Sequence, residues 1–105
     1  MSIPNAVQTS RRPTLRITWQ RTNGEYIDLT GATITGTLKN KSSGATSAIT
    51  GTTTVVDALK GAFTWAFSTA DVTTAANFYV QFKAAFSDGT FELSVSESWE
   101  VVAAL

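Results

Sequence analysis

Apolar and polar positions alternate along most of this chain with a period of two, the mark of strands that bury one face. From residue 15 the alternation is strict: Leu15, Ile17 and Trp19 point one way, Arg16, Thr18 and Gln20 the other. Asn23-Gly24 reads as a turn, because both residues tolerate positive φ. Leu29-Thr30-Gly31 then leads into a second strand with Ala32, Ile34, Gly36 and Leu38 on one face. A Lys41-Ser42-Ser43-Gly44 loop precedes weaker strands at residues 45–49 and 52–56. Lys60-Gly61 turns the chain into the strongest strand signal, residues 62–67, where Phe63, Trp65 and Phe67 alternate with Ala62, Thr64 and Ala66. Residues 68–76 break the period. Ser68 or Thr69 caps a single helical turn there, with Asp71 near its positive end. Alternation resumes over residues 77–86, with Phe78, Val80, Phe82, Ala84 and Phe86 on one side. Ser87-Asp88-Gly89-Thr90 is a hairpin turn. Phe91, Leu93 and Val95 pair back after it, and Trp99 with Val101 closes the sheet beyond a bulge near Glu97.

Seven or eight short strands with a turn signal between each describe one all-β domain over residues 1–105, an antiparallel sandwich or a small barrel. Residues 1–13 are polar with two prolines and read as an N-terminal arm or an edge segment. The shared phase of Phe63, Trp65, Val80 and Phe82 predicts that all four are buried together. Trp19, Trp65 and Trp99 are also in phase with apolar neighbours, so core packing is expected of them rather than a platform for sugars.

Composition sharpens this picture. Only 15% of residues are charged, and 18 Thr with 10 Ser take up the polar exterior, as suits strands. Net charge is zero, but residues 1–52 carry six basic and two acidic groups, whereas residues 53–105 carry two basic and six acidic ones. Either the halves interleave and cancel, or opposite faces meet in an assembly. The low charge, the uneven halves and the apolar end Val101-Val102-Ala103-Ala104-Leu105 predict self-association. The interface candidates are Arg11, Arg12 and Arg16, meeting Glu92, Glu97 or Glu100 of a neighbour, together with Leu105.

Candidate chemistry is thin. The chain has no His and no Cys, which removes the commonest general base, the soft nucleophile and most transition-metal sites. The acidic residues are scattered singly, and Asp57, Asp71 and Asp88 sit in turns where a carboxylate bonds the backbone. No glycine-rich phosphate loop is present. No catalytic residue, metal or cofactor is expected, so the chain is not expected to be an enzyme. Nucleic acid is not an expected partner despite the basic Arg11-Arg12-Pro13 cluster, because net charge is zero and no exposed aromatics interleave with it. No apolar run approaches membrane-spanning length and no signal segment opens the chain, so no membrane partner is expected.

Four segments carry a family resemblance: Asp28 to Lys39 (DLTGATITGTLK), Lys60 to Trp65 (KGAFTW), Asp71, and Asn77 to Phe82 (NFYVQF). Leu29, Thr30, Gly31, Ala32 and Thr33 form the first motif, Gly61 and Trp65 the second, Asp71 and Tyr79 the third, and Asp88-Gly89 a closing hairpin. In these the chain resembles the immunoglobulin-like N-terminal domain of phage baseplate upper proteins and related small virion proteins. The resemblance spans residues 15–102. Ala76-Asn77 stands where a glycine usually precedes the aromatic of the third motif, and Asn tolerates the left-handed conformation that this turn would need. What the resemblance implies is an immunoglobulin-like β-sandwich without catalytic residues. It further implies a structural virion protein of tail, baseplate or head, located in the particle and docked to itself and to neighbouring virion proteins. Larger members continue into receptor-facing domains, and this chain stops short of them, which favours an assembly role. The alternatives are a carbohydrate-binding or adhesive module for a bacterial surface, and a hydrolase accessory domain.

Overall fold

The computed structural model describes residues 3, 5–9, 14–21, 23–94 and 96–104. Among these residues nine strands follow one another: β1 (Ala6–Val7), β2 (Leu15–Thr18), β3 (Thr33–Asn40), β4 (Thr46–Ala48), β5 (Thr52–Asp57), β6 (Ala62–Ala66), β7 (Ala76–Ala85), β8 (Phe91–Leu93) and β9 (Glu97–Val102). Single 3-10 turns at Ala58–Lys60 and Ala70–Val72 flank β6. One sheet has the order β1-β9-β7-β3-β4, with β8 also on β7; the other has the order β2-β6-β5. Neither sheet closes on itself, and the fold is all-β and sandwich-like. One pairing departs from the expected antiparallel pattern: Ala6 and Val7 run parallel to Val101 and Val102. The N-terminal segment is therefore an edge strand at these residues rather than a free arm.

Register explains which residues form the core. In the smaller sheet Leu15 lies opposite Trp65, which lies opposite Thr53; Ile17, Phe63 and Val55 form the next inward row. In the larger sheet Ile34 faces Ala84, Gly36 faces Phe82 and Leu38 faces Val80. Phe63, Trp65, Val80 and Phe82 are all fully buried, and so are Trp19 and Trp99. Edge-on ring contacts knit the layers, Phe63 to Phe82 at 5.0 Å and Trp65 to Phe82 at 6.0 Å, while Trp65 meets Phe67 at 4.7 Å along its own segment. Such pairs add about 0.5–1.5 kcal/mol each beyond area burial.

Two expectations are corrected. Asn77 does not turn the chain: it is a strand residue opposite Glu100, and Thr9 alone among described non-glycine residues has positive φ. Phe91 and Leu93 do not share a row with Trp99 and Val101. Leu93 pairs with Lys83 but Glu97 pairs with Val80, so four steps on one strand answer three on the other. That one-residue bulge reverses the facing of odd positions. Before it, Phe91 and Leu93 look outward at 59% and 51% exposure; after it, Trp99 and Val101 look inward. Ser94 stabilises the bulge, giving its N–H to the Phe82 carbonyl at 2.8 Å and accepting the Phe82 N–H on Oγ at 2.9 Å. Counted as one bulged strand, β8 and β9 bring the total to eight. Val95 falls outside the described residues.

Candidate functional site

Asp71 is the one strongly buried charged residue among those described, at 4% exposure. The 3-10 turn places it beneath the end of β6. Ser68 and Asp71 cap each other: the Asp71 N–H donates to Ser68 Oγ at 3.3 Å, and the Ser68 N–H donates to Asp71 Oδ2 at 3.2 Å. This is the reciprocal box expected where a hydroxyl residue precedes an acid by three. The remaining donors come from afar. Thr50 N–H reaches Oδ1 at 2.9 Å, Gly51 N–H reaches Oδ2 at 2.9 Å, and the Trp65 indole Nε1–H reaches Oδ2 at 3.0 Å. The hydroxyls of Thr50 and Ser68 also hydrogen-bond to each other.

Residues 50–51 are where the chain leaves the larger sheet for the smaller one, so the carboxylate anchors the crossover. Gly51 is required there: a Cβ would lie 2.3 Å from the Ala66 carbonyl and 2.5 Å from Asp71 Oδ2. Asp71 was expected to bond local backbone in a turn, and it does so while also joining three separate segments. With donors on both oxygens, this carboxylate holds structure. Among the described residues no group of three His, Cys, Asp or Glu gathers as metal ligands would.

Asp28 and Asp88 follow the turn pattern. Each accepts the N–H and hydroxyl of the Thr two residues on, at 2.9 and 2.6 Å in both cases. These bonds, the Thr hydroxyl first, hold both carboxyls below their ordinary pKa. Asp57 precedes the first 3-10 turn without a side-chain cap bond.

The outer surface carries the remaining candidates. Arg16 is exposed on the outer face of the smaller sheet, opposite Thr64. Glu100 lies half-buried on the outer face of the larger one, opposite Asn77. Glu97 sits on the inward-facing row with Trp99, opposite Val80, because of the bulge. The structure therefore does not bring Arg16, Glu97 and Glu100 together. Glu92 is engaged within the chain: Arg21 holds it through Nη2 at 2.8 Å and Nε at 3.1 Å, and this bond with its charge raises the guanidinium pKa. Arg21 belongs to the basic half and Glu92 to the acidic half, so here the halves cancel in space. Arg11, Arg12 and Leu105 lie outside the described residues.

An open groove of about 330 Å³ crosses the outer face of the larger sheet, lined by Thr37, Lys39, Thr46, Tyr79, Gln81 and Ser96. Lys41 Nζ lies 4.5 Å from the Tyr79 ring and donates to Ser98 Oγ at 2.9 Å; Lys83 Nζ lies 4.5 Å from the Phe91 ring. Sequence reasoning missed this outward aromatic pair, since only the bulge turns Phe91 outward. No helix among the described residues is long and apolar enough to cross a membrane. No protein-family model and no curated protein matches the chain.

Proposed function

We propose that this chain is a non-enzymatic structural protein of a phage or prophage virion, in tail, baseplate or head, acting through protein–protein contacts. The observation that carries the reading is the exterior: open sheets with edges unpaired among the described residues, and Phe91 and Leu93 exposed on one of them. Exposed apolar side chains beside unpaired strand edges are contact chemistry. Within this reading the fold is an immunoglobulin-like sandwich. Support comes from the strand order, since β2-β6-β5 and β9-β7-β3 match the B-E-D and G-F-C sets of such domains, with β8 and β9 together as the last strand. The buried Trp65 lies on the E-equivalent strand rather than on C, and no disulfide joins the sheets.

Mass spectrometry of purified particles, with copy number, tests the role. A fixed integral ratio to a known structural protein supports it, and absence from intact particles refutes it. The groove beside Tyr79 and Gln81 favours a second reading, an adhesive module for bacterial surface sugars. Binding on a glycan array that is lost in Tyr79→Ala would support this instead.

A further inference from the structure

We infer that the free edge of β5 is a self-pairing site, where β5 of a second copy adds antiparallel about a two-fold axis and joins two three-stranded sheets into one of six. This rests on the protein-contact reading above and names its partner as another copy of this chain. The edge itself specifies the chemistry of its occupant. β5 pairs with β6 alone among the described strands, so its other side presents backbone N–H and C=O groups to an extended strand.

The side chains agree. Residues 52–56 read Thr-Thr-Thr-Val-Val, five β-branched residues without a charge or a proline. Edge strands are ordinarily blunted by charges, Pro or a bulge, and here the bulge between Val55 and Asp57 and the Asp57 charge both lie at the strand's last residues, leaving 52–55 without such a device. Thr52, Thr54 and Val56 are exposed, and just past the strand Leu59 is the most exposed large apolar side chain described, at 74%.

Register and charge admit a second copy as the occupant. Centred on Thr54, antiparallel self-pairing sets Thr52 against Val56 and Thr53 against Val55 of the partner. Asp57 then falls opposite Gly51, so no like charges face each other. The chain's zero net charge leaves no long-range repulsion between copies. A ladder of five residues is about 17 Å long. It buries less than the roughly 1,000 Å² of a stable interface, so the dimer is weak and depends on concentration.

The chain lacks cysteine, so a single introduced thiol is a clean probe. In the pair, residue 54 meets itself with Cα atoms about 4.5–5.5 Å apart, within disulfide range. Under mild oxidation at high protein concentration, Thr54→Cys should form a dimer of twice the 11.2 kDa chain mass. Thr35→Cys, exposed on the other sheet, should crosslink at least tenfold more slowly. Thr54→Lys, placing two cations on the axis, should shift wild-type self-association seen by sedimentation tenfold or more toward monomer, with an unchanged circular-dichroism spectrum. Thr54→Val should leave it intact. Equal crosslinking at residues 54 and 35, or indifference of association to Thr54→Lys, overturns the proposal. Particle mass spectrometry stands apart from these measurements: absence from virions would remove the virion role and leave the β5 pairing result untouched.

Discussion

Replacing Asp71 tests whether a buried carboxylate holds the two sheets in register. Asp71→Ala removes the acceptor for Thr50 N–H, Gly51 N–H, Ser68 N–H and the Trp65 indole N–H. A buried donor left without a partner costs about 1–3 kcal/mol. Thr50 and Ser68 are partly exposed and can bond water, which leaves Trp65 and Gly51 as the principal losses. Against this, the variant no longer desolvates a charge. The net is about 2–4 kcal/mol, a large fraction of the 5–15 kcal/mol of a typical domain. Asp71→Asn keeps the shape but turns charge-assisted bonds into neutral ones, and its amide must aim N–H at one of the N–H donors, so about 2–4 kcal/mol is expected. Urea unfolding followed by tryptophan fluorescence reads both. A double-mutant cycle with Trp65→Phe isolates the indole bond and should return a coupling of at least about 1 kcal/mol. If Asp71→Asn unfolds within about 0.5 kcal/mol of wild type, the carboxylate is not a structural hub and the argument fails.

Three further outcomes follow from the same geometry. Gly51→Ala should cost about 3 kcal/mol in urea unfolding, the upper part of the overpacking range, because backbone oxygen and the Asp71 carboxylate block a Cβ. Ser94→Ala should lose about 1–3 kcal/mol and speed amide exchange at Phe82, whose N–H loses its acceptor. Asp28 and Asp88 have depressed folded pKa values, so their contribution is present above the unfolded carboxylate pKa of about 4 and is lost as pH falls through the lower folded values. NMR titration of both carboxyls should therefore show them raised toward ordinary values in Thr30→Val and Thr90→Val respectively; unchanged titration would refute the hydrogen-bond origin.

The inner rows were legible because burial on one face leaves a period-two record in each strand. Leu15-Ile17-Trp19, Phe63-Trp65-Phe67 and Phe78-Val80-Phe82 keep that phase from end to end. The outer rows were less legible wherever a single residue changes parity. Phe91, Leu93, Trp99 and Val101 are all odd-numbered and apolar, and a continuous strand would put them on one side. The bulge near Ser94 divides them. A bulge near Glu97 was readable from the sequence, but its effect on facing was not, because parity follows from the register on β7. Glu97 turned inward for the same reason.

Asp71 shows how a local signal and a long-range one combine in a single side chain. Its bond with Ser68 follows from a spacing of three within a turn, and sequence alone supplies that spacing. Its bonds with Thr50 and Gly51 join residues about twenty positions earlier, and they exist only because β4 and β5 lie on different sheets. The chain crosses between layers at residues 50–51, just past the last bond to β3, from the Ile49 N–H to the Gly36 carbonyl. Two backbone N–H groups there have no ladder partner, and a carboxylate can serve both at once. The indole of Trp65 fixes that carboxylate against the core, so the crossover, the turn and the aromatic cluster hold one another in place. This arrangement also delivers β5 to the rim of the smaller sheet, with its far edge unpaired among the described strands. The inward demands of the fold thus set where the proposed pairing edge lies.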